Sequence, residues 1–299
     1  MITRRLALLS LSSLSLSGCV SISRMFSAPP TLAVHTQALD DLLTLSPPAH
    51  KLYTAVFAFL DETGQHKPNQ NFAEYSFAVT QGATSILINS LLDAGGGTWF
   101  NVLERSRLAD LLQERQIIRA NRIEYSGPDG QRLAPLGPLL DAGFIFEGGI
   151  IGYDSNVLTG GIGANYLGIG GDVQYSEDTV SIYMRTVSVL NGEVLTSVVA
   201  NKTIYSVALQ GSIFRYVGFN KLLQAEGGIT TNEPVELAVT DAVQLGVYAT
   251  IMEGCLKHLW SFADPVRQQA LLTAYLAERN GNVPPTEAAK KAAPVAAGS

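Results

Sequence analysis

Residues 156–175 read NVLTGGIGANYLGIGGDVQY, with six glycines and a single charge, Asp172. A second stretch, 198–218, reads VVANKTIYSVALQGSIFRYVG and carries only Lys202 and Arg215. A glycine-rich soluble sheet normally places charge on its solvent face, and these weakly alternating stretches have almost none. A membrane-spanning β-strand takes about 9–11 residues, so each stretch has room for one two-stranded hairpin. Two hairpins supply four strands, too few to close a barrel. An open sheet edge in hydrocarbon strands its N–H and C=O groups without partners. If the hairpins insert, several copies of the chain must therefore share one barrel, as a homo-oligomeric ring. Within the second stretch, Phe214 and Tyr216 flank Arg215 at period two, which predicts Phe214 and Tyr216 facing lipid and Arg215 facing the lumen.

Outward from these stretches the chain alternates strands and helices. Residues 52–60 (LYTAVFAFL) suit a buried strand, and a polar segment, 61–71, follows it. Val79, Ala83, Ile86, Leu87 and Leu91 are spaced for a helix over 74–93, stopped by Gly95-Gly96-Gly97. Further strands are expected at 99–103, 144–152 and 180–189, with a turn at Asn191-Gly192. Further helices are expected at 106–119, with Leu108, Leu111, Leu112 and Gln116 on one side, and at 135–142, entered through Pro135. Two more fall at 234–260, capped by Asn232 with Glu233 in the first turn, and at 265–279. This pattern predicts an α/β or α+β domain carrying two hairpins.

The first residues indicate the compartment. Arg4 and Arg5 precede an apolar and serine-rich run too short to span a bilayer, ending in Leu16-Ser17-Gly18-Cys19. That is a lipobox: small residues let the peptidase reach the backbone, and the thiol accepts the lipid. Cys19 is therefore the expected lipidation site, with palmitate among its acyl chains, and more than one chain gives stable anchoring. Val20 follows it rather than an aspartate, which favours sorting to the outer membrane. Residues 1–18 form the expected signal peptide, 19–50 a Ser/Pro/Thr-rich tether, and 281–299 a disordered Pro/Ala/Lys tail.

Composition narrows the function classes. The formal net charge is −6, which argues against nucleic acid as a partner. Charged residues make up 15% of the chain, against about 25% for ordinary soluble domains. Mean hydropathy is +0.18. Beyond Cys19 the only thiol is Cys255, so there is no disulfide framework. The chain contains no G-x-x-x-x-G-K, H-E-x-x-H, C-x-x-C or G-x-S-x-G motif. His35, His50, His66 and His258 are dispersed, without metal-ligand spacing. Asp61-Glu62 is explained by a turn after a strand. No enzyme, cofactor or metal is expected.

Several short stretches carry a resemblance to a known family. They are Asp61-Glu62-Thr63-Gly64-Gln65 with Lys67-Pro68, Ala78-Val79-x-Gln81-x-Ala83-Thr84, and Leu103-Glu104-Arg105 with Leu111-Leu112-x-Glu114-Arg115. Glu147-Gly148-x-Ile150-Ile151-Gly152-Tyr153-x-Ser155-Asn156-Val157, Gly160-Gly161-x-Gly163-Ala164 with Gly168-Ile169-Gly170, and Thr231-Asn232-Glu233-Pro234 complete the set. Through these, the chain resembles the CsgG family of outer-membrane lipoproteins, subunits of the curli secretion channel. The resemblance implies a periplasmic α/β domain and two hairpins per subunit joined in one nonameric barrel. It implies export of unfolded, curli-type amyloid subunits across the outer membrane without ATP. The partners implied are those fibre subunits, a periplasmic capping factor and a surface accessory factor.

The family also implies a pore constriction in the loop between the first strand and first helix, here residues 65–77, built from a tyrosine and an Asn-Phe pair. Read forward from Lys67-Pro68, the pair is Asn71-Phe72. Counted back from Gln81, the family positions fall on Glu74 and Tyr75, because this loop is one residue longer. Phe77 completes the aromatic set, and one of Phe72, Tyr75 and Phe77 is expected to pack under the following helix. The expected division is then 51–152 for the first part of the domain, 153–190 and 191–232 for the two hairpins, and 233–280 for the C-terminal helices. A competing reading is a periplasm-facing lipoprotein adaptor without a pore, binding an envelope or cell-wall partner. Such an adaptor has no reason to remove charge from 156–175 and 198–218.

Overall fold

The computed structural model describes residues 36–66, 77–125, 127, 131, 133–159, 174–209, 213–216 and 234–281. Six strands form one sheet in the order β2-β1-β3-β4-β5-β6. They are β1 Leu52–Asp61, β2 Phe100–Glu104, β3 Phe144–Thr159, β4 Gln174–Ser188, β5 Val194–Leu209 and β6 Ile213–Tyr216. β1 runs parallel to both β2 and β3. From β3 onward the pairing is antiparallel. The helices are α1 Gln37–Leu43, α2 Ala83–Asp93, α3 Leu108–Glu124, α4 Pro234–Leu256 and α5 Pro265–Arg279.

The core lies where α2 and α4 cover one side of the sheet, with α1 packed against both helices. Val56, Phe59, Phe146, Ile150, Ile182 and Met184 are buried there against Leu42, Leu87 and Leu91 and against Val243, Val247 and Ile251 of α4. α4 is long and apolar enough to cross a membrane by length and composition. Its apolar residues are instead buried within the domain, and Asp241 and Glu253 interrupt the run. Its end is set by Gly254, where an added Cβ would lie 2.0 Å from the Trp260 ring. With hydrogen in that place, Trp260 folds back and donates Nε1–H to Ile251 O at 2.9 Å. The helix therefore stops at Leu256, short of the expected 260; Asn232 and Glu233 lie outside the described residues. α5 spans the expected 265–279, with Asp264 capping Val266 and Arg267 N–H ahead of Pro265.

Four expectations change. Residues 36–50 belong to the body of the domain rather than to a tether. Thr36 caps α1 by accepting from Leu39 N, and its hydroxyl donates to Gln244 of α4 at 2.6 Å. Leu39, Leu42 and Leu45 are buried, and Ala49 pairs with Ser261. Second, the helix expected from 74 starts only at Ala83, because Ala78 gives its N–H to Gln65 O across the preceding loop. Third, residues 135–142 form no helix. A helix would need an N–H at residue 138 for the Ala134 carbonyl, and Pro138 has none. Arginines take these carbonyls instead: Arg122 bonds Ala134 O, Arg115 bonds Gly137 O and Arg105 bonds Leu140 O. Fourth, 178–188 of β4 and 194–204 of β5 pack in the domain, with Val180, Ile182, Met184, Val198, Ala200 and Ile204 buried. The spans expected for hairpins, 153–190 and 191–232, therefore include strand that belongs to the domain.

α3 differs from the rest. It runs five residues past its expected end at 119, and none of its side chains is buried. Leu112 and Ile117 are exposed, as are Ile123, Tyr125, Leu133 and Leu140 nearby.

Candidate functional site at the strand roots

β3, β4 and β5 are 15–16 residues long, far more than the core uses. β3 and β4 stay in register from Gly152–Ser181 out to Thr159–Gln174, and β4 and β5 from Thr186–Thr196 out to Tyr175–Val207. The strands thus leave the domain without a break in pairing. Asp154, Ser155 and Asn156 are already exposed there.

Polar contacts close the base of each excursion. Tyr153 donates its hydroxyl to Asp178 at 3.1 Å across the root of the first strand pair, and Asp178 is buried. Thr179 and Thr203 share a hydrogen bond at 2.8 Å between β4 and β5. Lys202 of β5 forms an ion pair with Asp241 of α4, joining the two ends of the second excursion. The Asp241 carboxylate is buried, and its Oδ1 has no hydrogen-bond partner among the described residues. The loop after β1 is closed by Gln81 Nε2 donating to Asp61 Oδ2 at 3.1 Å.

Of the residues singled out beforehand, Cys19, Asn71, Phe72, Glu74 and Tyr75 lie outside the described residues. Phe77 sits at the foot of its loop, half exposed, bridged to His66 with ring centroids 5.0 Å apart. Ala78 and Val79, not Phe77, are buried next to α2. Phe214 and Tyr216 lie on β6, paired by register with Ala208 and Ser206, while Arg215 pairs with Val207. Tyr153, Asp178, Asp241 and Gln81 were missed. Lys202 offered the one signal: a lone cation in an uncharged strand needs a counter-ion nearby.

A mixed α+β domain whose sheet continues as paired strands beyond its helical cover defines the class of this protein. The family model described as "Curli production assembly/transport component CsgG" matches residues 35–274, and the chain belongs to that family. The curli production assembly/transport component CsgG of Escherichia coli (strain K12) is 41% identical over 271 residues, 90% of this chain and 95% of that protein. Its counterpart in Salmonella typhimurium (strain LT2) is 41% identical over 273 residues, 91% of this chain and 96% of its own. Among solved structures, a PelC dodecamer from Paraburkholderia phytofirmans covers 68% of this chain and 91% of its own. Its identity of 13% and TM-score of 0.26 are too low to carry a conclusion.

Proposed function

We propose that this chain is one subunit of an outer-membrane secretion channel that exports unfolded, curli-type polypeptides from periplasm to cell surface without ATP. The observation that carries this reading is the unbroken register of β3, β4 and β5 past the helix-covered core. Family membership supports the same activity, since its relatives are curli assembly/transport components. On this reading the extended strands form two hairpins per subunit. Their outer edges, β3 and β6, pair with those of neighbouring copies, because four strands leave edges that hydrocarbon does not tolerate. A head-to-tail contact of that kind closes as a ring, on this reading of nine copies. The uncovered α3, with Leu112 and Ile117 exposed, suits the contact between neighbours.

Cys19 anchors the chain at the periplasmic leaflet, and Phe214 and Tyr216 meet lipid. The loop 65–77 supplies the constriction, from Asn71, Phe72, Glu74, Tyr75 and Phe77. The amide and aromatic groups there touch an extended peptide without selecting it by charge. Glu74 makes the pore cation-selective if it lines the ring and is silent if it caps the helix. A periplasmic capping factor and a surface accessory factor complete the partner set. Planar-bilayer recording of the detergent-extracted chain, with electron microscopy of the same sample, tests the reading. Rings with a central channel and discrete conductance steps are expected. A monomer that never conducts would remove the channel and leave the adaptor.

A further inference from the structure

Residues 59–66 and 77–84 run alongside one another as the stem of segment 67–76. Ala78 N–H donates to Gln65 O at 3.0 Å, and His66 and Phe77 form a single antiparallel bridge. Lower down, Phe59 N–H donates to Thr84 Oγ1 at 2.9 Å, and the Thr84 hydroxyl donates to Phe59 O at 3.2 Å. The stem is thus fixed to both β1 and α2.

At its base the two acidic residues turn to opposite faces of the sheet. Asp61 pairs by register with Ile150, on the helix-covered side, and accepts from Gln81 ahead of α2. Glu62 turns to the uncovered side. Its N–H donates to Ile150 O at 2.9 Å, and its carboxylate accepts from the Tyr183 hydroxyl of β4 at 3.0 Å. The site is shaped for that carboxylate. A Cβ on Gly149 would lie 2.9 Å from Glu62 Oε1 and 2.8 Å from Leu60 O. Arg185 holds the Tyr183 ring from one side, its guanidinium 4.7 Å from the ring centroid.

We infer that Asp61, Gln81, Glu62 and Tyr183 are positioning residues: Asp61 and Gln81 tie the two sides of this stem together, and Glu62 and Tyr183 lock it to β4, which continues toward the first hairpin. The inference rests on the channel reading above. A constriction assembled from many copies works only if every copy presents its loop at the same height, and groups in a functional site need support that holds them to within about 0.5 Å. The Tyr183–Glu62 bond gives that height by making the stem and β4 one body. Neither residue needs to touch the exported chain.

Single-channel recording of the full-length protein tests this with Tyr183→Phe, Glu62→Ala, Gln81→Ala and Glu62→Gln. Loss of one exposed hydrogen bond raises the population of the unlocked stem by a factor of roughly two to ten. The first three variants should therefore dwell in sub-conductance levels roughly two to ten times more often than the natural protein, with rings intact on semi-native gels. Glu62→Gln keeps an oxygen that accepts from Tyr183 and should record like the natural protein. Gln81→Ala loosens the stem itself without touching β4, so the test stands even if Tyr183→Phe does not assemble. If the natural protein shows no channels, the channel reading itself fails. If it conducts and the first three variants keep its single level, the inference is overturned. It is also overturned if Glu62→Gln behaves like Glu62→Ala, because charge rather than position is then what the recording reads.

Discussion

α4 and α3 are the two longest helices of the domain, and they are opposites. In α4, Ala238, Val239, Ala242, Val243, Val247, Ile251 and Met252 are fully buried; in α3 no side chain is buried. α4 exists because the sheet needs a cover. α3 leaves Leu112, Ile117 and Ile123 in water, while its Arg115 and Arg122 bond the carbonyls of Gly137 and Ala134. The contrast teaches that one helix belongs to the fold of the subunit and the other to what the subunit meets. Helical propensity does not separate them, since both run four turns or more; their surroundings do.

The comparison breaks most readily on the α4 side. Ile251→Ala empties a fully buried site and should cost about 2–5 kcal/mol, read as a lower thermal midpoint of the detergent-extracted chain. A loss within experimental error would mean that α4 does not hold the sheet.

Lys202→Met comes next. It leaves the buried Asp241 carboxylate without its cation, and a buried group stripped of its partner costs about 1–3 kcal/mol. Lys202 is itself about one-third exposed, so the lower part of that range is expected. Lys202→Met combined with Asp241→Leu should recover most of the loss, because the uncompensated charge goes with it. A double variant as damaged as the single one would show that the pair is not the cause.

The smallest change in subunit stability sharpens the comparison most. Ile117→Ser on α3 should move the unfolding of the dissociated subunit by no more than about 0.5 kcal/mol, as surface substitutions do. On native gels the same variant should shift the population from rings toward free subunits. Unfolding damage comparable to that of Ile251→Ala would place Ile117 in the subunit's own core and erase the distinction.

What the sequence made legible follows the range of the forces involved. α5 was readable to the residue because its start and stop are local: Asp264-Pro265 at one end, Asn280-Gly281 at the other. β1 was readable because its apolar run is long and ends in polar residues. The helix expected over 135–142 fails first on Pro138, a local signal, and the carbonyls left free are taken up by distant residues, since Pro135 opens a helix and an extended strap equally well. Those partners, Arg105, Arg115 and Arg122, sit on another element. The short α1 was missed for the same reason, its cap Thr36 being tied to Gln244 on the last long helix of the core. The low charge of 198–218 spans both strand buried in the domain, at 198–204, and the paired strand beyond it. It gave no hint of Tyr153 with Asp178, or Glu62 with Tyr183, because each pair exists only once the strands are in register.

Cys255 sits on the buried side of α4, and burial pushes its thiol up to about 12. At neutral pH it is protonated and out of reach, so maleimides and other thiol reagents should pass the folded subunit by. This makes the molecule ready for chemical mapping without prior engineering. On the proposal that Cys19 carries lipid, a cysteine introduced at Phe214, Arg215 or Tyr216 would be the sole reactive thiol of the chain. Its labelling by a water-soluble or a lipid-confined reagent would then report, residue by residue, which solvent each position meets.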